Sequence, residues 1–101
     1  MARYRLSNTA DRKIAAIYEY SFLTFGETRA DAYFLGMHDL FGLLAANPLM
    51  GREEAELGEG VRRFPDETHL VFYRPLTDGV LILDLFGVRQ KPRSFSGKFE
   101  D

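Results

Sequence analysis

The stretch HLVFYRPLTDGVLILDLF, residues 69–86, decides the fold. Two runs rich in β-branched and aromatic residues, HLVFYR (69–74) and VLILDLF (80–86), flank the turn sequence PLTDG. The Asp78-Gly79 pair in that turn is typical of a tight hairpin. A third run, VRRF (61–64), precedes them across the turn residues PDE. Together the three runs predict a three-stranded antiparallel meander.

The N-terminal half of the chain carries a helical period instead. Ser7 stands where its hydroxyl can cap a helix, and apolar residues recur at helical spacing until Gly26, which suits a helix end. A second apolar stripe begins at Ala30 and continues until Asn47-Pro48 breaks the pattern. Since the connection is so short, the two helices are expected to form an antiparallel hairpin.

These elements predict a single α+β domain over residues 1–91, followed by a C-terminal tail, residues 92–101. RYRLS (3–7) alternates polar and apolar residues, which predicts a short N-terminal strand before the hairpin and the meander. The hairpin is expected to cover one face of the sheet. The last strands are apolar on both sides, so we expect the other face to need a partner.

Composition argues against several classes of function. The chain has 101 residues and no cysteine, which suits one small core and removes disulfides, thiolate catalysis and cysteine-based zinc sites. No apolar run reaches the roughly 20 residues that span a bilayer, so we expect a cytoplasmic protein without membrane contact. The net charge of -2 and the sequence pI of about 5.7 argue against direct nucleic-acid binding.

Residues for catalysis are sparse. The two histidines, His38 and His69, lie in different predicted elements without the spacing of metal ligands. No serine has an evident base beside it. The acidic run REEAELGE (52–59) is expected to be a solvated loop. We therefore predict no catalytic residue, no metal site and no cofactor.

The arginines offer a different kind of site. Arg62, Arg74 and Arg89 come from separate predicted strands, and on one face they would present rigid donors to carboxylate or phosphate. The alternative is that they form ordinary surface ion pairs with acids such as Asp66 and Asp84. Both interpretations remain open at this point.

The first helix carries a second apolar strip opposite its core stripe. Ala16, Tyr20 and Leu23 recur at i, i+4 and i+7, which favours contact with a partner helix. The alternative is that they are single exposed apolar residues, which are common on surfaces.

Several sequence motifs also occur together in a specific order. They are YRLS, FG at the hairpin turn, ADAY in the second helix, LAANPLMGR, GVRRF, HLVFYRP and DGVLILDLFGVRQ. In this order and spacing the chain resembles, over residues 3 to 91, the ParE group of the RelE/ParE toxins of bacterial toxin-antitoxin pairs. The resemblance implies a small toxin that a co-expressed ParD-like antitoxin holds inactive in a hetero-oligomer.

Two branches of that superfamily imply different functions. The ParE branch is associated with poisoning DNA gyrase, and the RelE branch cuts messenger RNA on the ribosome. RNA cleavage requires a base, an acid and cations for the phosphorane charge. In the nuclease branch such residues lie on the open sheet and near the end of the last strand, but Gly87 occupies that position here and no histidine or tyrosine follows it. A gyrase-inhibiting toxin that is not an enzyme is therefore predicted; the alternatives are a RelE-like ribonuclease using arginines alone and a non-toxic binding module.

The resemblance also implies which surfaces meet the partners. An antitoxin segment would fill an apolar groove along the helix hairpin and pair with the sheet. The residues expected to contact it are Tyr20, Leu23, Phe25 and Tyr73. The residues expected to contact the target, on a docking surface that includes DLFGVRQK (84–91), are Arg62, Arg74, Arg89, Arg93 and Phe95.

Overall fold

A computed structural model describes residues 3–87 and has an α+β architecture. The elements in chain order are β1 (Arg3–Leu6), α1 (Asn8–Phe25), α2 (Glu27–Ala46), β2 (Arg52–Glu53), β3 (Arg62–Asp66), β4 (His69–Leu76) and β5 (Gly79–Gly87). The predicted N-terminal strand, helix hairpin and meander are confirmed. Neither helix in this part of the chain combines the length and the apolar character needed to cross a membrane.

The five strands form one mixed sheet in the order β1-β5-β4-β3-β2. The first strand runs parallel to β5, and the other neighbours are antiparallel. Parallel pairing brings the backbone of Arg3 against Gly79, where an added Cβ would overlap the Arg3 carbonyl oxygen. Gly79 therefore closes the β4–β5 turn and also allows β1 to join the sheet.

Ser7 joins the first helix to the sheet. Its side chain accepts a hydrogen bond from the Ala10 N–H at 2.9 Å, which confirms the predicted N-cap. The same hydroxyl donates to the Leu83 carbonyl at 2.7 Å. Because Ser7 is fully buried, both bonds are shielded from water.

The helix hairpin turns on one residue. Gly26 has a φ of 93°, ends α1 and immediately precedes α2, as its position in the sequence predicts. The Tyr18 hydroxyl donates to Asp31 at 2.6 Å and links the two helices near that turn. Asn47 ends α2, also as predicted.

The hairpin packs on one face of the sheet and forms the main core. Fully burying one large apolar side chain stabilises the fold by roughly 1.5–3 kcal/mol relative to exposing it, so this cluster holds the hairpin in place. Its buried members are Ala10, Ile14, Met37, Phe41, Leu44, Ala45, Val71, Tyr73, Val80, Ile82 and Leu85.

The opposite face of the sheet differs from expectation. Val61, Phe72, Leu81 and Leu83 form a second buried cluster, in which no side chain is more than 6% exposed. Partly buried residues, including Leu57 of a short 3₁₀ turn, pack against it. The expectation that this face needs a partner is therefore wrong for these residues.

The acidic run is also more structured than predicted. Its first two residues form β2, which pairs with β3, and a 3₁₀ turn occupies Ala55–Leu57. The Glu54 carboxylate lies 2.7 Å from Nε of Arg63. The prediction of a loop is wrong, because β3 supplies both backbone and arginine partners for this segment, although most of its residues are exposed as predicted.

Where β5 extends beyond β1, α1 provides its partners. Lys13 Nζ lies 2.8 Å from the Asp84 carboxylate, donates to the Leu85 carbonyl at 3.1 Å and sits 4.1 Å from the Phe86 ring centroid. Asp84 is only 4% exposed, and it also accepts from the Leu85 N–H. Among residues 3–87, Asp84 therefore pairs with a lysine of the hairpin and not with an arginine of the sheet.

Candidate functional site

A groove of about 770 Å³ opens at the hairpin end of the helices. We call it the hairpin groove. It is bordered by α1, α2 and the β3–β4 turn, and its lining includes Ile17, Tyr20, Phe25, Arg29, Tyr33 and His69. Most of the surface that lines it is apolar, so it can bury apolar side chains of a partner.

The predicted antitoxin-contact residues of α1 are exposed in this region. Tyr20 is 65% exposed and Phe25 is 51% exposed, and both line the hairpin groove. Leu23 is 77% exposed but lies outside the lining. Large apolar side chains grouped on a surface in this way are typical of interaction sites.

Tyr73 does not belong to that surface. It is fully buried in the main core, so its side chain cannot contact a partner in this conformation. The prediction of Tyr73 as an antitoxin contact is therefore wrong, because strand alternation turns it toward the helices.

One wall of the hairpin groove is polar. The Tyr33 hydroxyl and Nδ1 of His69 lie 2.9 Å apart. Burial, and next the nearby Asp66, raise the pKa of Tyr33 to about 12, while burial lowers the pKa of His69. Both side chains are therefore neutral at pH 7, and the hydroxyl can donate to the ring nitrogen.

The β3–β4 turn adds acidic groups beside this pair. Oδ2 of Asp66 is buried and makes no hydrogen bond of good geometry in the described chain. Burial, followed by repulsion from Glu67, raises the pKa of Asp66, although the nearby Tyr33 hydroxyl favours the charged form of this carboxyl and so opposes that shift. A tyrosine of pKa about 12 is a poor acid at neutral pH, so this wall suits hydrogen bonding to a bound segment better than proton transfer.

The predicted target-contact residues fall into two groups. The structure brings Arg62 and Arg74 together in a second cleft of about 760 Å³, which Leu49, Glu53 and Glu59 also line. Arg89, Arg93 and Phe95 lie outside the described residues.

Arg62 and Arg74 differ in how much of each guanidinium is engaged. Arg62 donates through one terminal nitrogen to the Gly51 carbonyl at 2.6 Å and the Leu49 carbonyl at 3.3 Å, and the other lies 3.7 Å from Glu53. Arg74 donates only through Nε, to the Glu59 carbonyl at 3.1 Å. Within residues 3–87 its two terminal nitrogens have no partner, so Arg74 is better placed to bind a ligand.

The 47–51 loop, NPLMG, is the feature that sequence reasoning missed. The Tyr73 hydroxyl donates to the Pro48 carbonyl at 2.7 Å and accepts from the Gly51 N–H at 2.8 Å. An added Cβ at Gly51 would lie 2.5 Å from the Tyr73 hydroxyl oxygen, so this close approach requires glycine. Leu49, in the same loop, is 71% exposed. The motif NPLMGR was the available signal, but it was used only to end a helix and to support the family resemblance, not to predict an exposed loop.

Metal ligands are not grouped in residues 3–87, where no set of three histidine or acidic side chains could hold an ion. His38 instead packs between Phe34 and Phe41, with ring centroids 4.5 and 5.5 Å away, and is bonded to the Tyr4 hydroxyl.

Comparison with known sequences gives a consistent result. A family model described as ParE toxin of type II toxin-antitoxin system, parDE, matches residues 4–92. Toxin ParE1 of Mycobacterium tuberculosis is 29% identical over 80 residues, which cover 79% of this chain and 82% of that protein. Toxin ParE1 of Caulobacter vibrioides is 34% identical over 74 residues, which cover 73% of this chain and 77% of that protein.

Comparison with solved structures supports the fold. A chain from the structure of the chromosomal ParDE TA system from P. aeruginosa aligns with a TM-score of 0.73. The alignment covers 88% of this chain and 98% of that chain at 19% identity. At such low identity the likeness concerns the fold alone.

Proposed function

This chain belongs to the ParE toxin family of type II toxin-antitoxin systems, and from that premise we propose that it inhibits DNA gyrase and that a ParD-like antitoxin neutralises it by direct binding. In this proposal the protein acts in the cytoplasm as an interaction protein and not as an enzyme. The observation that carries the antitoxin half is the exposed apolar lining of the hairpin groove.

The hairpin groove suits a segment with an apolar stripe. An aromatic side chain buries about 150–250 Å² when it is fully covered, so covering Tyr20 and Phe25 contributes several kcal/mol at roughly 25 cal/mol per Å². For a segment that is disordered before binding, the entropy cost of ordering offsets part of that favourable free energy. Enough apolar area is therefore available for a disordered antitoxin segment to bind by folding onto the toxin.

The positions of the polar groups favour binding over RNA cleavage. The Tyr33–His69 pair lies at the hairpin end of α2, and the incompletely engaged Arg74 lies in the cleft beside the 47–51 loop, which follows the other end of that helix. His69 and Arg74 both belong to β4 and lie five residues apart, which is about 17 Å at roughly 3.4 Å per residue. Arg29, the arginine of the groove, stacks 4.6 Å above the Phe25 ring. The separation of the Tyr33–His69 pair from Arg74 argues against a ribonuclease site, and it therefore supports the proposal of a gyrase inhibitor.

The antitoxin half is tested with the double variant Tyr20→Ser/Phe25→Ser and the ParD-like antitoxin co-expressed with this toxin. Loss of two exposed aromatic anchors should raise Kd about 30- to 1000-fold, measured by calorimetry, because a few central aromatic residues usually carry most of the binding energy. Leu35→Ser is the matched control, since Leu35 is 61% exposed on α2 outside the groove lining. Unchanged affinity of the double variant would refute the groove, and Leu23→Ser decides whether Leu23 belongs to the interface.

The target half is tested on one purified sample in two assays. Gyrase supercoiling with detection of cleavage complexes is compared with cleavage of ribosome-bound messenger RNA. We expect inhibited supercoiling and intact message. Cut message with unaffected gyrase would establish the ribonuclease alternative, and a folded protein that causes no growth arrest would establish the non-toxic binding module.

Arg89 and Arg93, which lie outside the described residues, remain part of the proposed target-binding surface. Arg89→Ala combined with Arg93→Ala is expected to abolish growth arrest, while Phe95→Ala separates the contribution of the aromatic ring. Intact arrest in the double arginine variant would remove those two residues from the set.

A further inference from the structure

The 47–51 loop exposes apolar side chains that a small protein usually buries. Leu49 is 71% exposed and Met50 is 37% exposed. Leucine and methionine are among the residues most often buried, and they come here from adjacent positions in one loop. Leu49 also borders the cleft that contains Arg74, so an apolar projection and a cation lie side by side.

The loop is fixed in this conformation by interior side chains. Tyr73, which is fully buried, bonds to the loop at Pro48 and Gly51, and Arg62 donates to the carbonyls of Leu49 and Gly51. The Met50 N–H also donates to the Asn47 carbonyl at 3.0 Å. A loop that is ordered before it binds loses little conformational entropy on binding. The fold therefore presents Leu49 and Met50 in a preformed arrangement.

The neighbouring charges indicate the chemistry of the partner. Both terminal nitrogens of the Arg74 guanidinium remain available as donors within the described chain, and a carboxylate matches them. Glu53 and Glu59 line the same cleft and would repel the closely spaced charges of a phosphate backbone more strongly than they would repel one carboxylate. The Leu49 side chain needs an apolar recess, which the charged backbone of a nucleic acid does not offer. These features favour a protein over DNA or RNA.

We propose that Leu49, Met50 and Arg74 form a docking surface for the protein target of this toxin, and that the target offers an apolar recess beside a carboxylate. This loop surface lies beyond the C-terminal end of α2, whereas the hairpin groove lies at the opposite end of that helix. The inference rests on the proposed function in requiring a protein target. It assigns to that target a surface distinct from the antitoxin groove.

The test uses Leu49→Ser and Arg74→Gln in the full chain, with Leu35→Ser as the control, since Leu35 is 61% exposed and Leu49 is 71% exposed. For Leu49→Ser we expect a loss of potency of at least about 10-fold, measured as the toxin concentration that half-inhibits gyrase supercoiling, because truncating a central anchor has effects of this size. Arg74→Gln should weaken inhibition in the same direction. Thermal midpoints and antitoxin affinity should stay at wild-type values, since Arg62 and Tyr73 hold the loop through its backbone.

The outcomes separate this surface from the choice of target. Wild-type potency in both variants would overturn the inference. If the wild type arrests growth without affecting gyrase, gyrase is the wrong target, and growth arrest by the variants then decides whether the loop surface is used. If the wild type binds duplex DNA alone and only Arg74→Gln abolishes that binding, the surface is a nucleic-acid contact and the inference is overturned.

Discussion

Apolar side chains are exposed near both ends of α2, but they are held in place differently. At the hairpin end, Tyr20 and Phe25 project from α1 into a groove; no hydrogen bond within residues 3–87 fixes the Tyr20 hydroxyl, and Phe25 is stacked only by Arg29 there. At the other end, Leu49 projects from a loop whose backbone is bonded to buried Tyr73 and half-buried Arg62. The groove is held by apolar packing and a few half-buried polar contacts, whereas the loop is held by several hydrogen bonds to its backbone, of which the one from the Gly51 N–H is buried.

This difference separates two ways of preparing a binding surface. A groove with adaptable side chains suits a flexible segment that becomes ordered as it binds. A loop whose conformation is already fixed during folding suits a rigid partner, because little ordering remains to be done. The comparison predicts that removing single hydroxyl groups will have unequal effects at the two ends.

The largest effect is expected for Tyr73→Phe at the loop end. The substitution leaves the buried Gly51 N–H unsatisfied, which costs about 1–3 kcal/mol, and it removes the part-buried bond to the Pro48 carbonyl, worth about 0.5–1.5 kcal/mol. We expect the free energy of unfolding, measured in urea, to fall by about 2–4 kcal/mol. Hydrogen exchange at Gly51 should accelerate.

Tyr20→Phe is the control for that experiment, because Tyr20 is 65% exposed and its hydroxyl meets solvent. It should change the free energy of unfolding by less than about 0.5 kcal/mol, as expected for a surface substitution. If Tyr73→Phe were equally mild, the loop would not depend on its buried hydrogen bonds, and the contrast between the two ends would be lost.

A smaller effect is expected for Tyr33→Phe at the groove end. Tyr33 and His69 are only half-buried, and Thr68 Oγ1 also lies 3.1 Å from the same ring nitrogen. Loss of this hydroxyl should lower the free energy of unfolding by about 0.5–1.5 kcal/mol, the usual net value of one hydrogen bond. A loss as large as that of Tyr73→Phe, measured in the same urea series, would show that the groove is also held by polar contacts.

Much of the fold could be predicted because its signals are local. Ser7, Gly26 and Asn47 mark helix boundaries through their own backbone and side-chain chemistry, and the turn at Asp78-Gly79 follows from the same kind of rule. The pairing of β1 with β5 and the burial of the second sheet face depend on contacts between distant residues. Periodicity within one segment contains no information about those contacts.

The candidate site was predicted less completely for the same reason. The apolar strip of α1 is visible in helical spacing, and it correctly places Tyr20 beside the groove. Tyr73 and Arg62 were predicted to contact partners because their residue types are common in recognition. In the structure their side chains instead hydrogen-bond to the backbone of the 47–51 loop. A tyrosine and an arginine that stabilise a loop are indistinguishable in sequence from ones that bind a ligand.

The smallest effect expected is the pH dependence that His69 contributes at the groove end. Burial lowers its pKa in the folded protein; Asp66 opposes that shift and Lys13 adds to it. The unfolded chain therefore binds the proton more readily than the folded protein. The stability that neutral His69 contributes is fully present above about pH 6.5 and is lost as pH falls through the folded pKa. The pKa of Asp66 is raised, and as pH falls toward its folded pKa the native state gains stability from that group, opposing the loss.

His69→Gln should flatten the urea stability profile between about pH 7 and pH 5, because it removes a histidine whose folded pKa is lowered. Asp66 and Glu67 of the turn, Tyr33 of α2 and Lys13 of α1 remain in place, so the difference between the two profiles reports His69. Tyr73→Phe serves as the comparison, since it should lower stability equally across this range. A profile that keeps its full slope in His69→Gln would show that protonation elsewhere controls the groove end, and that the polar wall is as insensitive to pH as the loop.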